Sequence, residues 1–308
     1  MTHRRAVLLM AAVTAMWSIA GIVTRQLEHA RSFEITFWRS LFCALALALM
    51  LGAMRGPGAL WRTLRGGGRA LWISGACWAV MFTAFMVALS LTTVANVLVT
   101  MALGPLFTAL GARFALGHAL PLRTWAAIGA AGAGIAWMYG SQFGAADAQH
   151  LAGVGIALAV PLAGAVNWTL LQHLHHGEGD DDAPAPDMLV AVLLGAVLSA
   201  LLTLPPALPF AATGGDLALL GLLGVVQLAV PCLLAVRVAR VLKAPEIALL
   251  ALLEVIFGVV WVWLGSTESP TPAVLGGGAL VLGALAVNEA LALRQTVRAA
   301  GTVPRPGH

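Results

Sequence analysis

An acidic residue, Glu254, stands near the centre of a long apolar stretch of this 308-residue chain. A charge at the centre of a bilayer costs about 2.5–3.5 kcal/mol or more, so such a residue normally faces a helix-bundle interior or a wet cavity. Glu254 could contact a substrate ammonium group, exchange a proton or bond to a neighbouring helix. The sequence is consistent with a substrate or coupling role and with a structural hydrogen bond.

A basic residue, Arg39, lies about one and a half turns into the second apolar stretch. Its long side chain is expected to reach the membrane interface by snorkelling. There it could bind carbonyl or acidic groups at an outer gate, or a substrate carboxylate. Glu34 lies five residues earlier, too far round a helix for the favoured ion pair.

Three tryptophans, Trp17, Trp78 and Trp168, lie away from the ends of the first, third and sixth apolar stretches. Interfacial tryptophans gather at span ends instead. We expect these three either to pack in the core or to line a cavity for apolar and aromatic groups.

Further apolar candidates follow at helical spacing. Met81 and Phe85 come after Trp78, and Met101 lies in the middle of the fourth apolar stretch. Such a stripe is typical of core packing, although methionine also suits an adaptable binding surface. With Trp17, Arg39, Trp168 and Glu254, these residues complete the predicted substrate-binding set.

The sequence carries no HExxH, GxSxG or P-loop motif. A membrane enzyme acting on a lipid intermediate would need paired acids or histidines at one depth, where this chain offers Glu254 alone. A self-contained ATP-driven pump would need nucleotide motifs. We therefore predict no enzymatic activity, no cofactor and no metal site.

Composition indicates the surroundings of these residues. Sixty per cent of the chain is hydrophobic and 10% is charged, against about 25% charged residues in soluble domains. So few charges cannot cover a water-facing surface, and lipid must cover it instead. The 34 glycines are typical of membrane helices that approach closely.

About 20 apolar residues are needed for each helical crossing. The sequence predicts ten crossings, at 6–24, 33–53, 70–90, 93–112, 122–140, 152–172, 187–207, 216–236, 245–264 and 272–292. With the amino terminus in the cytoplasm, 14 of the 17 basic residues fall on the cytoplasmic side, as the positive-inside rule requires. Both termini are then cytoplasmic, and the basic net charge needs no nucleic-acid partner.

The two halves of the chain look related. A shift of 150 residues brings Pro105-Leu-Phe onto Val255-Ile-Phe. Because five crossings is an odd number, the second copy must be inverted in the membrane, as in many secondary transporters. We predict an all-α fold with a first five-helix repeat at 1–147 and an inverted repeat at 148–295. An acidic linker at 177–187 interrupts the second repeat, and a cytoplasmic tail follows at 296–308.

These segments resemble a known family. The run from Ala95 to Phe107 with Leu116-Gly-His118, and Leu253-Glu254-Val255 in the second half, resemble the EamA-type members of the drug/metabolite transporter superfamily. Two positions depart from the family pattern: His118 stands where an acidic residue is usual, and Val255 where proline is usual. The general likeness is to the amino-acid and metabolite exporters, including the aromatic amino-acid group.

The resemblance implies a secondary transporter of the bacterial inner membrane that exports amino acids or related metabolites by alternating access. A drug or nucleotide-sugar transporter of the same superfamily is the first alternative, and a membrane-embedded enzyme is the alternative from another class. The expected partners are a small-molecule substrate and the lipid bilayer. The sequence leaves the cargo, proton coupling and oligomeric state open.

Overall fold

The computed structural model describes residues 1–116, 121–140, 148–176, 188–238, 241–242, 244–266 and 270–301. The described chain is almost entirely helical and contains no strand, which confirms the predicted all-α class. The helices are α1 (His3–Thr24), α2 (Ser32–Arg55), α3 (Pro57–Gly66), α4 (Arg69–Leu91), α5 (Val94–Met101), α6 (Gly104–Leu116), α7 (Leu122–Gly140), α8 (Ala148–His176), α9 (Met188–Ala207), α10 (Gly214–Leu222), α11 (Val230–Val238), α12 (Ala244–Gly265) and α13 (Pro272–Gly301). A π-helical segment, Leu223–Ala229, joins α10 to α11.

Six helical stretches in the described residues are long and apolar enough to cross a bilayer. They are α1, α2, α4, the first part of α8, α9 and the stretch Gly214–Ala235. Three shorter apolar stretches are Val94–Thr108, Leu250–Gly265 and Pro272–Asn288. Large apolar side chains also face outward, among them Leu49, which is 73% exposed, and Leu202, which is 67% exposed. An outer surface of this kind fits lipid, and the chain is a multi-pass membrane protein.

The fourth predicted span is broken in two. Helix α5 ends at Met101, and α6 begins at Gly104 after the turn at Ala102 and Leu103. Pro105 has no N–H to donate, and its ring clashes with the carbonyl four residues earlier, so proline disfavours a continuous helix here. Pro105 therefore lies in the first turn of the new helix, directly after the break.

Two other prolines, Pro161 and Pro231, lie within predicted spans that show no such break. Pro161 lies inside α8, which continues through it. Pro231 follows the π-helical segment, where the Val230 N–H donates to the Val225 carbonyl five residues back. Because Pro231 supplies no N–H to the carbonyl of Gln227, the helix before it has reason to widen.

The connection between the second and third spans is a helix rather than a simple loop. Helix α3 starts at Pro57, a favoured first helical residue. Leu60 and Leu64 pack against the bundle, whereas Trp61 is exposed and stacks under the Arg65 guanidinium at 4.6 Å. This two-faced pattern is typical of a helix that lies along the membrane surface.

Helix α2 lies at the centre of the packing, against α4, α9, α10 and the π-helical segment. Helix α1 packs on α12, α11 and the π-helical segment, α8 packs on α4, α5 and α6, and α7 packs on α13. Small residues permit the close approaches. A Cβ on Gly224 of the π-helical segment would lie 2.7 Å from the Arg39 carbonyl oxygen and 2.9 Å from the Cys43 nitrogen of α2, so the two backbones touch at this point.

Candidate functional site

A cavity of about 80 Å³ lies at the break between α5 and α6. One wall comes from Leu98, Met101, Ala102 and Pro105 at the break, and the other from Ala251, Leu252, Glu254 and Val255 of α12. Since one water needs about 10–15 Å³ of such space, the cavity has room for several waters. Broken helices that line a cavity within the membrane are where secondary transporters bind their substrates.

Glu254 supplies the charge of this cavity. It is the eleventh of the 22 residues of α12, at the middle of the helix, and its side chain is partly exposed to the cavity. No hydrogen bond or ion pair engages it within the described residues. Among the outcomes that the sequence left open, the structure therefore favours a cavity-facing group over a bond to a neighbouring helix.

Arg39 is also inside the bundle. It is the eighth residue of α2, and its side chain is 2% exposed, so it does not reach the membrane interface as expected from snorkelling. Its Nε and Nη1 atoms have no hydrogen-bond partner within the described residues. Phe82 and Phe85 of α4 lie against its guanidinium, and Gly224 of the π-helical segment lies against its backbone carbonyl; the sequence position alone does not reveal these neighbours.

Aromatic rings surround the Arg39 guanidinium. Its Cζ lies 5.5 Å from the centre of the Phe85 ring and 5.9 Å from that of Phe82. The Phe82 ring in turn lies 5.5 Å from that of Trp78. All three aromatic residues belong to α4, which presents one aromatic face to Arg39. Ring faces attract cations, so α4 offsets part of the cost of burying this charge.

Arg39 and Glu254 do not form an ion pair. No ion pair within 4 Å joins their side chains in the described structure, and Arg39 is not among the residues of the described cavity wall. Arg39 belongs to the first predicted repeat and Glu254 to the second.

The π-helical segment adds a polar group beside α1. Gln227 is buried, and its Nε2 donates to the Trp17 carbonyl at 3.3 Å. Its Oε1 has no partner in the described structure. Trp17 itself is partly buried and packs against the apolar cluster that includes Phe82 and Cys43. The local widening of the helix thus carries one side-chain acceptor that remains available inside the bundle.

The structure divides the predicted substrate-binding residues into two groups. Met101 and Glu254 share the cavity, and Phe85 with Trp78 belongs to the aromatic face of α4 near Arg39. Met81 is half-buried against the largest apolar cluster, and Trp17 and Trp78 are not among the residues of the described cavity wall. The backbone of Trp168 lies in α8, but its side chain lies outside the described part of the structure.

Sequence reasoning missed two members of the site. Phe82 lies four residues after Trp78 and three before Phe85, so the helical spacing that selected those two also selects Phe82. Val255, noted as a departure from the family pattern, is buried in the cavity wall. His118, the other departure, falls outside the described residues.

Two buried carboxylates bind the connecting loops at one end of the bundle. Glu34 accepts hydrogen bonds from the Ala211 N–H at 3.0 Å and the Ala212 N–H at 2.8 Å, in the connection between α9 and α10. Asp216 accepts from the Glu28 N–H at 3.0 Å and the His29 N–H at 3.2 Å, in the connection between α1 and α2. Glu34 of α2 thus fixes the loop before α10, and Asp216 of α10 fixes the loop before α2. We call this end of the bundle the latched end.

An arginine ties a third connection into the same end. The Arg25 guanidinium donates to the Leu89 carbonyl at 3.2 Å and to the Thr92 carbonyl at 3.0 Å, at the end of α4. Arg25 thus performs the carbonyl-binding role that the sequence suggested for Arg39. Glu34, Asp216 and Arg25 together connect the segments 25–31, 92–93 and 208–213 at this end.

Comparison with known proteins gives a family match over less than half of the chain and a likeness of fold. The model of the EamA-like transporter family matches residues 4–140, which confirms the expected likeness for the first predicted repeat. One solved structure, described only as the crystal structure of a protein, is similar over 96% of this chain and 99% of its own length, with a TM-score of 0.62 and 19% sequence identity. At this identity the likeness concerns the fold alone. The curated proteins gave no match.

Proposed function

We propose that this chain is a secondary transporter that exports small organic metabolites, amino acids foremost, across the bacterial inner membrane by alternating access. The observation that carries the proposal is the cavity at the broken fourth span, with the Glu254 carboxylate at the middle of α12. A charge at this depth is costly and typically marks a substrate or ion pathway. The EamA-like match over residues 4–140 supports the same transport class.

The helix packing supports two inverted repeats. In the two repeats, α1 corresponds to α8, α2 to α9, α4 to the α10–α11 stretch, the broken α5–α6 span to α12, and α7 to α13. If the halves are repeats, the contact of α1 with α12 should have a counterpart between α8 and α5–α6, and such a contact is present. The contact of α4 with α9 should likewise have a counterpart between α2 and the α10–α11 stretch, and α2 does contact α10 and the π-helical segment. The contacts of α2 with α9 and of α7 with α13 each join two corresponding helices, so they are their own counterparts.

The latched end supports alternating crossings. The connections at 25–31, 92–93 and 208–213, which the ten-span topology assigns to one side, meet there through Glu34, Asp216 and Arg25. The positive-inside rule makes this the external side. The described structure is then closed towards the outside, and export requires the carboxylate–amide bonds of the latched end to open.

A flux panel tests the proposal. Purified protein is reconstituted into liposomes, and the movement of radiolabelled alanine, leucine, phenylalanine, a nucleotide sugar and a lipophilic drug cation is compared with that in protein-free liposomes. We expect protein-dependent flux of amino acids. If only the nucleotide sugar or only the drug moved, that solute and not an amino acid would be the cargo. If no solute moved, the result would contradict the transport function.

A further inference from the structure

The cavity at the break of the fourth span combines one carboxylate with an apolar wall. Glu254 of α12 supplies the carboxylate, and the other seven residues that line the cavity are apolar. Within the described residues Glu254 makes no hydrogen bond or ion pair. A negative group at the middle of a membrane helix is costly unless a cation or a proton meets it. The cavity therefore suits a cation, and its described wall has no side chain that binds a carboxylate.

The broken span adds a main-chain oxygen to the residues around this cavity. Pro105 has no N–H, so it cannot bond to the carbonyl of Met101, four residues earlier, as in a continuous helix. Among the described residues, the main-chain bonds around the break reach the carbonyls of Leu98, Thr100 and Leu103, and none reaches that of Met101. The carbonyl end of a helix carries a partial negative charge, and such ends of broken helices bind cations in transporters.

Glu254 and the end of α5 lie beside one another. Both Glu254 and Met101 line the cavity, and α12 packs directly on α5. Gly258, one turn after Glu254, lies so close to the Leu98 side chain of α5 that a Cβ there would collide with it. Glu254 and Met101 thus border one volume of about 80 Å³, which has room for an ammonium group and the carbons next to it.

We propose that this cavity binds the primary ammonium group of the cargo, which donates hydrogen bonds to the Glu254 carboxylate and the Met101 carbonyl while the apolar wall contacts its carbon chain. An ammonium group has three N–H donors, so it can bond to both oxygen-bearing groups at once. The inference rests on the proposed transport function, since it takes the cavity as the cargo site, and it specifies which part of the cargo is recognised there.

The site has a consequence for selectivity. A primary amine keeps both interactions, whereas an acid loses both and brings a second negative charge towards Glu254. Each charged hydrogen bond is worth about ten- to a hundredfold in affinity. We therefore expect an amine to bind at least as tightly as its amino acid, and the acid at least about tenfold more weakly. A trimethylated ammonium keeps the charge but has no N–H donor, so it should bind more weakly than the primary amine.

The first test measures binding and needs neither transport nor a substitution. Purified protein in detergent binds radiolabelled phenethylamine, which is then displaced with unlabelled phenethylamine, phenylalanine, 3-phenylpropionate or phenethyltrimethylammonium. Phenethylamine should displace the label at a concentration no higher than phenylalanine, and 3-phenylpropionate should need at least about tenfold more.

The outcomes separate the site from the transport function. Equal displacement by the acid, or no binding of phenethylamine to a protein that exports phenylalanine, would overturn the ammonium site and leave transport standing. Selective amine binding by a protein that moves no amino acid would support the site and contradict the transport function. Neither binding nor flux would overturn both.

The second test assigns the two oxygen-bearing groups. Glu254→Gln removes the charge and should lower the affinity for phenethylamine at least about tenfold. Pro105→Ala restores an N–H that can bond to the Met101 carbonyl, so it should weaken phenethylamine more than its trimethylated analogue. Glu28→Gln is the matched control, because the Glu28 side chain is 79% exposed, and it should keep both affinities. Wild-type affinity in Glu254→Gln would overturn the role of Glu254, and equal weakening of both ligands in Pro105→Ala would overturn that of the carbonyl.

Discussion

The latched end offers a quantitative prediction about Glu34. The side chain is fully buried and its carboxylate accepts from the Ala211 and Ala212 N–H groups at 2.8–3.0 Å, with a longer bond of 3.4 Å from the Trp38 indole. Glu34→Ala removes every acceptor, and Glu34→Gln keeps one oxygen but loses the charge. We expect the stability order wild type, Glu34→Gln, Glu34→Ala.

The magnitude follows from the two short bonds of Glu34. A hydrogen bond to a charged group contributes about 1.5–3 kcal/mol net, so two contribute about 3–6 kcal/mol. Ala211 and Ala212 are only half-buried, and water can replace part of the loss. We therefore expect about 3 kcal/mol for Glu34→Ala, close to a hundredfold in the unfolding equilibrium, and about 1–2 kcal/mol for Glu34→Gln.

The three cysteines provide the assay. Cys43, Cys77 and Cys232 are free and buried, so a thiol-reactive dye reports unfolding in detergent as denaturant is added. Glu28→Gln is the matched control, because the Glu28 side chain is 79% exposed and its loss should change stability by less than about 0.5 kcal/mol. If Glu34→Ala unfolds at the same denaturant concentration as Glu28→Gln, the carboxylate does not fix the loop, and the latched end is not a barrier.

Three further predictions concern the backbone and the topology. Gly224→Ala should lower stability by about 1–3 kcal/mol in the same dye assay, because its Cβ would meet backbone atoms of Arg39 and Cys43. Gly221→Ala is the control and should leave stability unchanged, because its Cβ would come no closer than 4.0 Å to the Phe42 ring. Equal effects of the two substitutions would contradict the close packing. Pro105→Ala should favour a continuous helix across the break and slow amino-acid flux without loss of stability, whereas unchanged flux would mean that the break plays no part in transport. Reporter fusions should place both termini in the cytoplasm, and an external signal from either end would exclude the ten-span topology.

The helices were predictable because every residue of an apolar stretch indicates the same structure. Any span of about 20 apolar residues must satisfy its backbone internally in lipid, so composition alone indicates a helix. The effect of Pro105 was also predictable, because the missing N–H removes a hydrogen bond within the same helix and depends on no distant residue. Pro161 shows the limit of that argument, because α8 runs through it unbroken and no residue near it in sequence indicates whether a helix will bend or break.

The candidate site was only half predictable. The depth of Glu254 in its helix made it a cavity candidate, and the structure gives it a cavity. The burial of Arg39 depends on neighbours that are distant in sequence, since Phe82 and Phe85 of α4 lie against its guanidinium. Its position near the start of α2 therefore indicated an interfacial residue. Likewise, the bonds from Glu34 to Ala211 and Ala212 join residues 177 and 178 positions apart, which no local spacing reveals.

The most direct test of the account is amino-acid efflux from proteoliposomes containing wild-type protein or Glu254→Gln, with the dye melt of each recorded in parallel. Shape is retained in this substitution while the charge in the cavity is lost. The account predicts that Glu254→Gln unfolds close to the wild type and yet exports amino acids at least about tenfold more slowly. Wild-type efflux in a folded Glu254→Gln protein would contradict the claim that the cavity at the broken span is the transport site.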